Sequence, residues 1–339
     1  METSMKKIFI TVLTIICITS APGQSKVGTS AAQFLGIAVG PRGVAMGGAF
    51  VALANDVSAL YYNPGAFSQP GYSQFLVSHT NWLVGTKFDW VGVMINLDGS
   101  SAIGINITQL DYGEEMITTE TQQEGTGETW KASDLSVGIS YARSLTDRFS
   151  IGGTAKYIQE KIWNESASAF GVDVGLKYRT DLNGLTIGMS ISNFGTDMRL
   201  DGKDLFHSID LDPSNGGTNK TVGARLKTDD WPIPLFFRAG IAMNIYQDEE
   251  VRMTVAADAL RPSDNAETLN VGGEFGWRES VYLRGGMKSL FLNETEEGYT
   301  VGGGAKYELT GANIISFDYS YQEFGKFGGI QSFAIGITF

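Results

Sequence analysis

Side chains able to do acid, base or nucleophilic chemistry are scarce in this sequence. Its 339 residues include two histidines, His79 and His207, and a single cysteine, Cys17. A hydrolase needs a nucleophile within reach of a general base, and Ser78-His79 brings the two types together in sequence. Alternation places both on a strand, where neighbours point to opposite faces, so the pair cannot act as a dyad. His207, in Phe206-His207-Ser208, reads as a solvated loop side chain. No His pair at ligand spacing offers a zinc set. The run from Ser208 to Gly217 has a faint calcium-loop look, but it lacks the bidentate Glu at the twelfth position, and its Asp and Asn residues suit turns. Pro41 to Gly48 has glycines without the G-x-G-x-x-G spacing or a preceding strand, which excludes a nucleotide loop. The expectation is a protein that is not an enzyme and needs no cofactor or metal.

Something other than chemistry must therefore explain the composition. Glycine accounts for 43 residues and charged residues for only 18%, while the net charge is −12. Nucleic acid as a partner is disfavoured, because phosphate binding requires clustered Lys and Arg. At the N-terminus, Lys6 and Lys7 precede an apolar run from Ile8 to Ile18 and then Thr19-Ser20-Ala21-Pro22-Gly23. This is the layout of an export signal, and the run is too short to span a bilayer, which needs about 20 residues. Cleavage near Gly23 is expected to leave a mature chain without cysteine, stabilised by backbone hydrogen bonding and packing.

From about residue 73 onward, segments of some ten residues alternate apolar side chains with Gly, Ser, Thr or charged ones, as in Phe170-Gly171-Val172-Asp173-Val174-Gly175. A period of two is a strand signal. Segments of this length match the roughly 9–11 residues that a tilted strand needs to cross a membrane. Fifteen candidates can be counted: 73–82, 86–97, 101–110, 132–143, 148–159, 170–179, 184–194, 219–228, 235–246, 251–260, 267–277, 280–288, 299–309, 313–322 and 330–339. Single-chain bacterial barrels have even strand numbers, short periplasmic turns and long outer loops. That parity is satisfied if 219–228 does not span and residues 195–234 form one outer excursion. The result is an all-β transmembrane barrel of 14 antiparallel strands, or 16 if a strand hides in 111–131. Trp82, Trp90, Tyr141, Tyr157, Tyr178, Trp277, Tyr307 and Tyr321 are expected to form interfacial girdles. Isolated charges at lumen-facing positions, among them Asp173, Lys177, Arg238, Asp258, Glu274, Arg284 and Asp318, are expected to pair across the interior.

Residues 30–67 do not alternate. The stretch from Ser30 to Ala54 is rich in Ala and Gly with no polar face, as befits a segment packed inside something. Asp56 is a fair N-cap for a short helix over Val57 to Tyr62, which Pro64 would stop. Gly43-Val44-Ala45-Met46-Gly47-Gly48-Ala49-Phe50-Val51-Ala52, Asn55-Asp56-Val57-Ser58-Ala59 and Tyr61-Tyr62-Asn63-Pro64-Gly65-Ala66 together resemble the N-terminal signature of FadL-like barrels, most closely their PorV/PorQ branch. Leu283-Arg284-Gly285-Gly286, Asp318-Tyr319-Ser320-Tyr321 and the closing Ser332 to Phe339 are similar to that branch as well. Gly65 stands where FadL relatives usually carry alanine.

The resemblance implies three parts: a signal peptide over 1–23, a helical and Gly-rich hatch over 24–72, and a transmembrane barrel over 73–339 in the bacterial outer membrane. It marks Gly43, Met46, Gly47, Gly48, Asn55, Asp56, Asn63 and Pro64 as the hatch motif. The alternating end Phe333, Ile335, Ile337 and Phe339 is expected to be read by the barrel-assembly machinery, and outer-membrane lipid to surround the wall. PorV-like proteins serve type IX secretion, which implies secretion components or exported cargo as partners. Asp201, Asp204, His207 and Asp210 are the outer-loop candidates for such contacts. A FadL-like role would instead admit hydrophobic small molecules, through an apolar space between Phe34, Leu35, Met46, Phe50 and the wall.

Overall fold

The computed structural model describes residues 27–182, 184–210, 214, 222–292, 295–309 and 313–339. The expected export signal and the segments around 211–221, 293–294 and 310–312 lie outside the described residues.

Fourteen strands make the wall. The first seven are β1 (Gln74–Asn81), β2 (Lys87–Asn96), β3 (Ser101–Met116), β4 (Thr129–Ser144), β5 (Phe149–Ile162), β6 (Glu165–Arg179) and β7 (Thr186–Gly195). The others are β8 (Phe236–Gln247), β9 (Val251–Pro262), β10 (Thr268–Trp277), β11 (Val281–Leu290), β12 (Tyr299–Glu308), β13 (Ile314–Glu323) and β14 (Gly329–Thr338). Each pairs antiparallel with its neighbours in sequence, and β14 returns to β1 with Gln74 opposite Thr338, so the sheet is closed. Closure leaves no row of unpaired backbone groups facing lipid, the condition a membrane places on any sheet.

The alternation has the expected sense on most strands. On β6, Phe170, Val172 and Val174 face outward, while Gly171, Asp173 and Gly175 face the lumen. Tyr141, Tyr178, Trp277 and Tyr307 are exposed on the outer surface at the short-turn end and form one girdle. Trp90 does not join it: at 1% exposure it points into the lumen. Phe88, Trp90, Gly92 and Met94 are the buried side of β2. The lumen here meets an apolar plug, so from Val91 to Ile95 both faces of β2 are apolar or small and alternation alone leaves its phase open.

The described part of the expected 219–228 span, residues 222–228, stays out of the wall, as parity requires. Within it, Val222–Arg225 pairs with Phe206–Ile209 in a separate two-stranded ribbon of the 195–235 excursion. No further strand hides between β3 and β4. Instead β3 continues to Met116 and β4 begins at Thr129, with a register shift between Asp111 and Glu114, so the hairpin stands above the bilayer-length part of the wall.

Inside the ring, the segment before β1 forms the hatch. It holds a 3-10 turn (Gln33–Gly36), the short helix α1 (Pro41–Ala45) and the short helix α2 (Ala59–Tyr62). Asp56 does serve the start of α2: its carboxylate accepts the N–H and hydroxyl of Ser58, while the formal N-cap is Ser58. Val39, Met46, Phe50, Val57 and Leu60 have no exposure and fill the lumen.

Candidate functional site

The hatch is fastened to the wall by groups from both sides. Asn63 is fully buried; its Nδ2 donates to the carbonyls of Val51 and Leu176, both at 2.9 Å, and its Oδ1 accepts the N–H of Gly65 at 3.0 Å. One side chain thus links the hatch to itself and to β6. Pro64 lies flush on the wall, its carbonyl against Gly152 and its ring against Gly175. A Cβ on Gly65 would lie 2.4 Å from the Gly175 carbonyl, so this close approach suits glycine. Gly47 and Gly48 turn the chain in the left-handed region, at φ 68° and 80°, where glycine carries no steric cost. Gly47 comes close enough to β10 and β11 that a Cβ would meet the Val271 and Met287 carbonyls at 2.7 Å. Gly43 leaves room for the Tyr62 hydroxyl, which donates to the Val39 carbonyl at 3.0 Å.

The lumen charges do pair, but several of them pair with the hatch. Arg42 donates from Nε and NH2 to the two oxygens of Glu274 on β10, at 3.0 and 3.2 Å. Its NH1 reaches Asn55 at 2.6 Å and Asp56 at 2.9 Å. Glu274 also receives Arg252 at 3.0 Å and Arg284 at 2.7 Å, and Arg284 continues to Asp318 at 2.5 Å. A bidentate charged contact of this kind is strong and directional. Burial alone would raise the Asp56 carboxyl, but the Arg42 guanidinium and the Ser58 donors hold it below the usual carboxylate range. On β9, Asp258 accepts the N–H groups of Phe50 and Val51 at 2.6 and 2.7 Å. Lys177 donates to the Ala54 carbonyl at 2.7 Å, and Thr300 to that of Ala45 at 3.0 Å. Asp173 pairs instead with a wall residue, Lys156, at 2.5 Å.

Gly43, Gly47, Gly48, Asn55, Asp56, Asn63 and Pro64 lie in or beside these contacts, and Met46 is fully buried with its backbone against Gly272 of β10. Arg42, the only charge between residues 30 and 54, is the hatch-to-wall contact that motif reading passes over; a lone arginine in an apolar segment destined for a lumen is the available signal. Ser78 faces the lumen and His79 faces outward, where its Nδ1 lies 2.6 Å from Asp89. That separates the two halves of the Ser78-His79 pair.

The loop candidates occupy the 195–235 excursion, and two of them already have structural work. Asp201 pairs with Arg225, and the Asp204 carboxylate accepts Asn164 Nδ2 at 2.8 Å. His207 is exposed on the ribbon strand Phe206–Ile209, and Asp210 follows it. At the chain end, Ile335, Ile337 and Phe339 are exposed on one outward face with Phe333, whose ring lies 5.2 Å from that of Tyr319.

Three spaces open off the lumen. On the outer side, a cavity of about 710 Å³ lies between the hatch residues Gly36, Ala38, Tyr61 and Tyr62 and the wall residues Phe236, Arg238 and Asn270. On the short-turn side, cavities of about 300 and 930 Å³ are lined by Arg42, Arg252, Lys306 and Asp318, and by Lys177, Arg179 and Asn244. Two further hollows are a space of about 610 Å³ along β8 to β11, lined by residues such as Ala242, Val255, Val271 and Met287, and one of about 440 Å³ among the outer loops, lined by Met116, Ile117, Trp130, Ile162, Trp163 and Leu200.

A closed ring of fourteen antiparallel strands, apolar on its outer surface and plugged by its own N-terminal segment, defines a plugged outer-membrane β-barrel. The solved structures agree on the fold. The CymD monoaromatic hydrocarbon channel superposes with a TM-score of 0.56 at 11% identity, over 88% of this chain and 96% of that one. The Ralstonia pickettii toluene transporter TbuX gives 0.53 at 13%, over 88% and 97%, and the P. putida toluene transporter TodX gives 0.53 at 13%, over 88% and 96%. Identities this low speak to the fold alone. No curated protein matches the sequence. The family model for the type IX secretion system protein PorV, however, matches residues 20–259. The chain belongs to the PorV family, and so to the outer-membrane barrels of type IX secretion.

Proposed function

We propose that this barrel serves type IX secretion by holding exported cargo, or a machinery partner, against its outer loops. The observation that carries the reading is the apolar hollow on the loop side. Met116, Ile162 and Trp163 are about half exposed there, beyond the part of the wall that lipid covers. Aromatic and aliphatic side chains left open to water mark an interaction surface. Exposed acids on the same hairpin, Glu114, Glu115, Glu120, Glu124 and Glu128, suit a partner whose apolar anchors are flanked by basic residues.

Conduction of hydrophobic molecules, the role of the CymD channel and of the TbuX and TodX toluene transporters, has less support here. Phe34, Leu35, Met46 and Phe50 are each 5% exposed or less, so no space opens among them, and the apolar space of about 610 Å³ along β8 to β11 is lined by wall residues such as Ala242, Val255, Val271 and Met287. The test is a Trp163→Glu, Met116→Glu double variant expressed in place of the natural chain. Heat-modifiable gel migration should show a folded barrel, while surface attachment of cargo and co-purification of secretion components fall at least tenfold. Unchanged attachment would sink the proposal. Recovery of the barrel alone, with lipid or fatty acid found by mass spectrometry, would favour transport.

A further inference from the structure

Two cations stand together at the short-turn mouth of the lumen. Lys177 and Arg179 are on one face of β6, two residues apart, and both line the cavity of about 930 Å³ at that mouth. Lys177 is only 7% exposed, and among the described residues its one acceptor is the Ala54 carbonyl of the hatch, at 2.7 Å. An ammonium has three donors, so two are left over. Arg42 and Arg179 act on Lys177 as like charges, while Asp56, the acid that acts on it, is bound to Arg42 at 2.9 Å. Arg179 reaches the Asp147 backbone carbonyl, a neutral acceptor, at 3.4 Å. The cross-strand neighbours are neutral as well: Ser150 and Gly188 opposite Lys177, and Thr186 opposite Arg179.

The rest of this cavity suits a polypeptide better than a lipid. Its lining includes the side-chain amides of Asn55, Gln69, Asn244 and Gln247. Asn244 and Gln247 bond to one another at 2.9 Å, but each amide carries two donor and two acceptor positions, the pattern that a peptide backbone matches. Asp147 is the one carboxylate among the described residues of that lining, in a chain whose net charge is −12. Two cations against one acid in a polar recess favour anions over cations.

We infer that this mouth binds an acidic, extended peptide segment, with a carboxylate on Lys177 and Arg179 and the backbone along the amides. The short turns of such barrels face the periplasm, so the segment belongs to a periplasmic protein. Because Lys177 also holds the Ala54 carbonyl, the occupant shares its cation with the hatch. The site lies at the opposite mouth from the loop hollow, and binding here does not depend on the secretion role.

The experiment uses the full-length barrel in lipid nanodiscs, which leave both mouths open, and titrates probes by saturation-transfer NMR. A blocked hexapeptide of alternating aspartate and glycine is compared with its asparagine counterpart and with succinate. The aspartate peptide should bind roughly tenfold more tightly than the asparagine one, as a single hydrogen bond between charged groups provides, and more tightly than succinate. Arg179→Gln, at the exposed rim, should lower that preference by roughly two- to fivefold. Lys177→Gln combined with Arg179→Gln should bring the two peptides to parity, with heat-modifiable migration confirming a folded barrel. Arg278→Gln removes a cation that pairs with Glu250 on the same rim outside the cavity, and should leave the preference intact. Parity of the peptides with the natural protein, which needs no variant, overturns the site, as does a preference that survives the double variant. An equal loss in Arg278→Gln marks general surface attraction and overturns it too. Succinate binding as tightly as the aspartate peptide overturns the assignment to a peptide.

Discussion

The carboxylate of Asp258, on β9, accepts the backbone N–H of Val51 in the hatch at 2.7 Å. The same oxygen takes the N–H of Phe50 at 2.6 Å, so one wall residue satisfies two adjacent hatch amides that have no helix or strand to bond to. Asp258→Ala should free both amides. Hydrogen bonds to charged groups contribute about 1.5–3 kcal/mol each, so amide exchange at Phe50 and Val51 should accelerate by roughly ten- to a hundredfold or more. Exchange mass spectrometry on the hatch peptides reads this; unchanged rates there would show that the bonds do not hold the hatch.

Glu274 is the hub for three arginines. Glu274→Ala leaves Arg42, Arg252 and Arg284 gathered without their shared anion, a change that typically costs about 3–5 kcal/mol at a buried pair. The urea midpoint of the heat-modifiable gel shift should drop sharply. Adding Arg42→Ala to Glu274→Ala should cost less than the two single changes summed, because the second removes a cation the first has stranded.

Gly47 tests the close approach of hatch to wall. Gly47→Ala combines a left-handed backbone position, about 1–2 kcal/mol for an alanine, with a Cβ set against two carbonyls of β10 and β11. The hatch should then sit less firmly while the barrel still closes. A rise in protease cleavage before residue 73, with the gel shift preserved, is the expected outcome.

Acid should loosen the hatch at Asp56. Its folded-state pKa is lowered, so its stabilising contribution is complete above the unfolded value of about 3.9 and fades as pH falls through the folded one. Hatch amide exchange, corrected for the intrinsic rate, should show falling protection below about pH 4. Asp56→Asn should flatten that dependence and lower protection at neutral pH.

How much of this is legible in the sequence follows from where each signal lies. The fourteen strands can be read because lipid outside and small residues inside impose a strict period of two, and turn lengths settle the parity. The extra turns of ladder on β3 and β4 cannot, since Glu114 and Glu115 stand in water and nothing there enforces alternation. Trp90 turns inward against expectation because an apolar plug leaves both faces of β2 apolar or small from Val91 to Ile95. The Arg42–Glu274 bond joins positions 232 apart, and no local pattern announces such a partner. The hatch motif is recognisable through resemblance, but its physical reason, Asn63 bridging to β6 and Gly47 lying on bare backbone, emerges only in three dimensions.

The two ends of the barrel meet where Ser73 and Phe339 exchange both backbone bonds, at 3.1 and 2.9 Å. Ser73 is also the point where the chain leaves the hatch for β1, so hatch and closing seam are in mechanical series. A pull on the hatch toward the short-turn mouth loads that seam from its end, and its bonds give way in succession, as in peeling tape. The Arg42 contacts with Glu274 and the Asp258 contacts share the same load together. A pull on the hatch therefore passes into the line where the barrel's own ends are joined.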